Sequence, residues 1–534
     1  MNVNSPFVRK VIYIIAIMLL LFPLFVLGQP ASTTTSGGKL SQLRESYGLS
    51  QAQLGDIDPV SVSMQLATFG LRGVAVNILW DKAARYQMTE DFDNLSATLN
   101  QITKLQPHFI GVWKFQAHNL SYNISAEFDD FRQRYHWVKR GINFLIDGTR
   151  YNRDQPRMLQ DVGDYIGNKI GTSDERVEFR ELFQEDRDFH QSLSLEEGID
   201  TFSRRSLGPT GAPDNWLVAW QWYQKSENAV DPLGVRPLGR TPLQFFVVKP
   251  RTLISFAAAI EEEGFLDEKG REAYRRAAEG WNELGNREIL HNQAGFPVRM
   301  NDQDVHRQAR REIRDQIIAL DLELYEQMLA TREQSLEKLE REALAKPAAD
   351  RTPDQYNLAL DAESKLEISN AEFIERLSEE LKPQAEELNA VEAEKYQYAR
   401  AAEHHRMLTN YDYFRMRCQV EQLKLATDAR QVVRHADEFY ANAELEKARS
   451  EYERGWDMWA EIFEEFPELL NNPEAEILRQ SVGNYESLLG HLEESIPEDF
   501  KLRILMMKYE DMNQLPADFD PTGRANRQPP GSQK

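Results

Sequence analysis

Apolar residues spaced three and four positions apart dominate the chain, and that spacing confines each stretch to one stripe of a helix. The segment GLRGVAVNILWDKAARYQMTEDF keeps Val74, Ile78, Ala83 and Tyr86 on one stripe. Leu95, Leu99, Ile102 and Leu105 form a second, which Pro107 stops. A third runs through Phe109, Val112, Trp113, Ala117 and Leu120. The fourth uses Tyr135, Val138, Ile142, Leu145 and Ile146, and the fifth Leu159, Val162, Ile166 and Ile170. A short element, capped by Asp56 or Asp58 and reaching about Phe69, precedes them. Stripes joined by short loops predict antiparallel helical hairpins, so the expected fold class is all-α.

One stretch has no polar face. Residues 11–28, VIYIIAIMLLLFPLFVLG, are 18 residues without a charge, enough to cross a hydrocarbon layer about 30 Å thick at 1.5 Å per residue. Pro23 lies inside the run, where a membrane helix tolerates it. Arg9 and Lys10 precede it and no charge follows until Lys39, an asymmetry that places the amino terminus in the cytoplasm and the bulk outside. The competing reading is a cleaved signal, with Val26 and Gly28 before Gln29. The length of the run and the missing A-x-A pattern favour an uncleaved anchor. A cytosolic chain would need the run as a buried core helix.

The 534 residues suffice for two to four domains. The chain carries 86 Asp plus Glu against 63 Lys plus Arg, a net charge of −23. Loss of residues 1–28 would remove Arg9 and Lys10 and no acid, taking the charge to −25. Such a surface repels a polyanion, so nucleic acid is not an expected partner. The single cysteine, Cys418, excludes an intrachain disulfide and any multi-cysteine metal centre. A chain exported without disulfides fits the bacterial periplasm better than a eukaryotic exterior.

Large and small residues recur in a fixed order. Leu79, Ala83, Tyr86 and Pro107 occupy the large, small, tyrosine and closing-proline positions of a tetratricopeptide unit, and Trp113 and Ala117 repeat the first two 34 residues later. About 15 extra residues around Ser125 to Arg134 expand this second unit. Near the other end, Phe439, Ala443, Gly455, Trp459 and Pro467 keep the order, with Glu446 in place of the tyrosine. The chain thus resembles a divergent, membrane-anchored tetratricopeptide-like protein over roughly 75–170 and 436–467. The resemblance implies a solenoid of stacked hairpins that binds proteins. Small residues let the helices of a hairpin approach, and large ones fill the gap to the next hairpin.

Between these regions the pattern changes. Residues 171–215 are polar, with a loop at SRRSLGPTGAPDN; NWLVAWQWYQKS then puts Trp216, Trp220 and Tyr223 on one helical stripe and Trp222 off it. The run VDPLGVRPLGRTPLQFFVVKP argues against helix, with Gln244 to Val248 extended; helix resumes at Thr252–Glu263 and Asp267–Leu284. Residues Asp302–Ala345 read as one long charged helix, with Ile313, Ile317, Leu320, Leu324 and Met328 as a narrow stripe. Pro353–Thr409 reads as a second, and the two suit an antiparallel coiled-coil arm or, alternatively, ordinary long solenoid helices. The expected organisation is an anchor at 1–28, a tether at 29–55, hairpins at 56–170, a loop-rich insert at 171–300, the arm at 301–410, C-terminal hairpins at 411–515 and a disordered tail at 516–534.

Patterns that impose reactive geometry are absent: no phosphate-binding glycine loop, no H-E-x-x-H, no G-x-S-x-G and no C-x-x-C-H. No cofactor or metal is expected. His404 and His405 are adjacent, diverge by about 100° on a helix and read as exposed polar residues. Cys418 reads as a packing residue, and the acids at 261–263 as a solvated face. Trp216, Trp220 and Trp222 are either core or the lining of a peptide or glycan groove. The leading expectation is a membrane-tethered scaffold without catalysis, with an unidentified protein partner. The alternative is an envelope enzyme, or a peptide- or glycan-binding protein, with its site in the 171–300 insert; a third is a purely structural spacer.

Overall fold

The computed structural model describes residues 6–28, 38–39, 42–43, 72–153, 155–230, 241–290, 296–348, 351–471, 473–497 and 500–502. Most of the tether at 29–55, the element before Phe69 and the tail at 516–534 lie outside the described residues. The fold is all-helical. The described strands are one antiparallel pair, Ile289–Leu290 with Pro297–Val298. The chain divides into two compact units, Met1–Arg240 and Thr241–Lys534. That division falls inside the expected 171–300 insert, so its two halves belong to different units.

In the first unit, α1 is Pro6–Gly28. Hairpins follow: α2 (Arg72–Met88) with α3 (Phe92–Leu105), then α4 (Ile110–His118) with α5 (Phe131–Tyr151). Next come α6 (Pro156–Asp164), α7 (Arg176–Glu185), α8 (Arg187–Glu196) and α9 (Asn215–Val230). Helices α7 and α8 occupy the stretch read only as polar. The stripes of α3, α5 and α6 are buried throughout. On α2, Ala83 is buried but Ile78 is 56% exposed, so the first stripe is narrower than its spacing suggests. Leu79 and Tyr86 are half-buried, and Pro107, Trp113 and Ala117 are buried.

Two close approaches fix this unit. Gly163, Gly167 and Gly171 recur every fourth residue and form a flat strip against α9, where Tyr223 and Trp216 lie. Asp214 accepts from the backbone N–H groups of Trp216 and Leu217, capping α9, and also pairs with Arg180 of α7 at 2.8 Å. Both side chains of that pair are buried, so each carboxylate oxygen has its own donor. Trp216 and Trp222 are buried core residues and Trp220 is partly exposed. The stripe that grouped Trp216 with Trp220 is therefore corrected: α9 is buried on more than one side.

The second unit opens with α10 (Pro242–Glu262), which packs on α11 (Glu268–Asn286). Helix α10 overturns the extended reading of Gln244–Val248. Pro242 sits in the first turn, where its missing N–H costs nothing, and Phe245, Phe246 and Val247 are all buried. Helix α10 is also long and apolar enough to cross a membrane by length and composition, but most of it is buried inside the unit.

The two charged stretches are each broken into three: α12 (Gln303–Ala319), α13 (Leu322–Ser335) and α14 (Lys338–Leu344), then α15 (Pro353–Leu366), α16 (Asn370–Arg376) and α17 (Lys382–Thr409). They run antiparallel. Arg307 pairs with Glu403, Arg310 with Glu392, Arg332 with Glu372 and Lys365 with Glu340, so one partner number falls as the other rises. The single-helix reading of each leg is corrected. Asp321 and Ser369 cap new helices, and Leu336, Ile368 and Leu377 turn inward at the breaks.

Helices α18 (Tyr411–Glu421), α19 (Lys424–Ala441), α20 (Leu445–Glu465) and α21 (Pro473–His491) complete the unit. Their core is aromatic, with Tyr452, Trp456, Trp459, Phe463 and Tyr485 buried together. Gly455 admits Val433 of α19, and Pro467 opens a 3-10 turn. Phe439 is half-buried near the end of α19. Ala443 is corrected as a packing residue: it is exposed, with φ 59°, in the turn between α19 and α20. Cys418 is buried. His405 is also buried, against the expectation of an exposed histidine pair, while His404 is exposed.

Candidate functional site

Helix α4 continues into a π-helical turn at Asn119–Ile124, and α6 into another at Tyr165–Lys169. Each extra residue per turn re-aims the side chains around it, and such turns are frequent at functional sites. Local packing holds both. Gly141 of α5 lies directly against Ser121 of the first turn, whose hydroxyl donates to the Val138 carbonyl at 3.3 Å. Gly167 of the second turn lies against Ala219 and Trp216 of α9.

The two helices set two rows side by side. Lys114, His118 and Tyr122 follow one another at four-residue steps, as do Asp161, Tyr165 and Lys169. Lys114 Nζ lies 2.8 Å from Asp161. The Lys169 ammonium stands 4.3 Å from the centre of the Tyr122 ring, a cation–π contact. His118 stacks on Tyr122 at 4.6 Å, and Tyr165 meets Tyr122 edge-on at 5.9 Å. The Asp164 carboxylate beside them accepts from the Tyr223 hydroxyl at 2.8 Å.

The same offset recurs elsewhere in the unit. Lys114–Asp161, Lys139–Asp186 and Arg150–Glu197 all join residues 47 apart. The segment after Pro156 therefore runs alongside the segment before it in one register.

Electrostatics follow from partial burial. Burial, then the Lys169 charge, lowers the His118 pKa, so its imidazole is neutral at pH 7. Burial, then the Asp164 carboxylate, raises Tyr122. Tyr165 rises for the same first reason, helped by Tyr122, Asp161 and Asp164. Burial lowers Lys169, with Glu175 opposing and Arg134 adding. At neutral pH the patch presents two neutral phenols and a neutral imidazole, flanked by Lys114, Lys169, Asp161 and Asp164. Tyr122 remains 39% exposed and His118 is exposed, so the patch opens to solvent.

The patch offers aromatic faces and hydrogen-bonding groups to a contacting surface. Among the described residues, no group of three His, Cys, Asp or Glu side chains is placed to hold a metal. The tetratricopeptide-like resemblance implies protein binding but names no contact residues. The signal was present as K-x-x-x-H-x-x-x-Y and D-x-x-x-Y-x-x-x-K at one offset, and only the fold shows that the rows are adjacent. Of the tryptophans read as either core or groove, Trp216 and Trp222 are core and Trp220 is partly exposed. No family model matches this chain, and no curated protein or solved structure matches it either.

Proposed function

We propose that this chain is a membrane-tethered helical scaffold that binds a protein partner and performs no catalysis. Its tether is α1, its bulk lies on the outer side of the cytoplasmic membrane, and its contact surface is the paired row of Lys114, His118 and Tyr122 with Asp161, Tyr165 and Lys169. The single observation that carries this reading is the in-register pairing of the two π-turn helices, which leaves an aromatic patch with Lys169 against it open to solvent. The repeated 47-residue offset supports stacked hairpins, at a longer step than the ~34 residues of a tetratricopeptide unit. The antiparallel legs of 303–409 support a helical arm. Aromatic residues with mixed polarity are the usual anchors of protein contacts.

A photo-reactive aromatic residue at position 122 of the full-length chain, in native membranes, tests this. A discrete crosslinked protein that disappears with Lys169→Glu is expected. The control is the same probe at Leu195, 76% exposed in the same unit. Equal products at both positions, or none at position 122, would remove the assignment.

A further inference from the structure

Glu261 stands in the run of three acids that ends α10, but its side chain is only 16% exposed and turned into the second unit. The reading of a solvated face is therefore wrong for this residue. From α11, the Tyr274 hydroxyl donates to Glu261 Oε2 at 2.9 Å. From α19, Arg430 Nε lies 3.8 Å from Glu261 and 2.9 Å from Glu421 Oε2, and Arg430 Nη2 bonds the other Glu421 oxygen. Glu421, which closes α18, is buried. Arg417, one turn earlier on α18, reaches the Tyr274 hydroxyl at 3.4 Å. Arg434 of α19 donates to the Glu261 carbonyl at 3.2 Å and pairs with Glu438 at 3.5 Å. The ring of Trp459 on α20 covers Arg430 at 5.2 Å.

Two carboxylates thus face one guanidinium. Glu421 takes both close contacts, and Glu261 keeps the longer one. The elements that carry them also form a groove. Ala278 and Asn282, the next turns of α11 after Tyr274, face Asp412, Met416 and Gln419 of α18 across an open space of about 490 Å³.

We propose that Glu261, Arg430, Glu421 and Tyr274 form a proton-operated latch on this groove. A proton from solvent on Glu261 removes the cost of burying its charge, which exceeds the attraction to Arg430 that it forfeits, and so favours closure of α10 and α11 against α18 and α19. Loss of that proton loosens the joint and widens the groove between α11 and α18.

Burial drives the Glu261 carboxyl up to about 7; Arg430 opposes this, Glu421 adds to it, and the Tyr274 bond and Arg417 oppose it. Tyr274 is raised well above the usual phenol value by burial and Glu261. Arg430 is raised too, its two carboxylates outweighing burial. Neither titrates near neutrality, which leaves Glu261 as the working group. The direction follows. Between the ordinary carboxyl value near 4.5 and about 7, the closed state holds a proton that the opened chain has released. Closure therefore weakens as pH rises through that window and changes no further above it.

Amide hydrogen exchange of the full-length chain, corrected for intrinsic rates, tests the latch from pH 4.5 to 8.5. Protection of 268–286 and 411–421 should fall on the order of 100-fold across the window in the wild type and stay flat in Glu261→Gln. A variant that tracks the wild type, or a flat wild type, would overturn the proposal. Should Glu261→Gln not fold, carbon NMR of the wild-type carboxyl decides instead. A Glu261 midpoint near 7 is expected, and one below 5 would overturn it.

Discussion

A methyl group is the smallest probe of how α6 meets α9. An added Cβ at Gly171 would stand 2.5 Å from the Trp216 ring, and at Gly163 2.7 Å from the Tyr223 ring. Neither ring has room to retreat, because both are buried. Gly171→Ala should therefore lower stability by about 1–3 kcal/mol. Gly483 on α21 is the control. It is exposed, with nothing within 4 Å of an added Cβ, so Gly483→Ala should raise stability by about 1 kcal/mol through helix propensity alone. Urea midpoints of the two variants should move in opposite directions; a shared direction would mean that packing at the glycine strip does not limit stability. Residues of this kind were partly legible. The bulky and small positions Trp113, Ala117, Gly455 and Trp459 announce close packing by size alone. Ala443 has the same size signature but lies in a turn, because the chain reverses at Asn442–Glu444 and size does not encode that. Glu261 and His405 look like surface residues because one sequence shows the charge but not the partner across the fold.

At the scale of elements, an apolar residue inside a periodic stripe conceals a break. Leu336, Ile368 and Leu377 continue the hydrophobic pattern of 303–409, yet each sits at a helix end with its side chain buried. The stop is set by the polar residue nearby. Asp321 Oδ1 accepts from the Leu324 N–H at 3.0 Å, and Ser369 Oγ from the Glu372 N–H at 3.2 Å. Replacing such a cap costs about 1 kcal/mol. Asp321→Ala should therefore speed amide exchange over 322–335 about fivefold, while 382–409 is unaffected. Uniform acceleration of both legs would show that the arm opens as one body. Helix α10 departs from its sequence signals for the opposite reason. Proline and glycine before Gln244 signal a loop, but Pro242 is in the first turn and three consecutive buried residues hold the start of the helix. Local propensity lost to burial there. The hairpins of 72–164 were legible because their stripes and their turns agree.

For the whole molecule, two helices are long and apolar enough to be candidates for a membrane span, and burial separates them. Helix α10 and helix α1 are both over 18 residues long and apolar. In α10 the apolar side chains Phe245, Phe246, Leu253, Ile254 and Phe256 are covered by protein, and Lys249, Arg251 and Glu261 lie in the same segment. In α1, Ile14, Ile15, Leu19, Leu20 and Phe22 are all exposed. Exposed apolar side chains along a helix need a solvent of their own kind, and about 20 such residues match the thickness of a bilayer core. A spanning α10 would have to surrender its packing against α11 and bring a buried lysine into lipid, which costs several kcal/mol. We therefore propose α1 rather than α10 as the tether. Alkaline extraction of membranes should leave the full chain in the pellet and release a chain lacking residues 1–28. The released form should keep its thermal midpoint within a few degrees, since α1 contributes none of the buried side chains of either unit among the described residues. Retention of the shortened chain in the pellet would transfer the membrane contact to α10 or to an interfacial face, and the topology argued from Arg9 and Lys10 would fall with it.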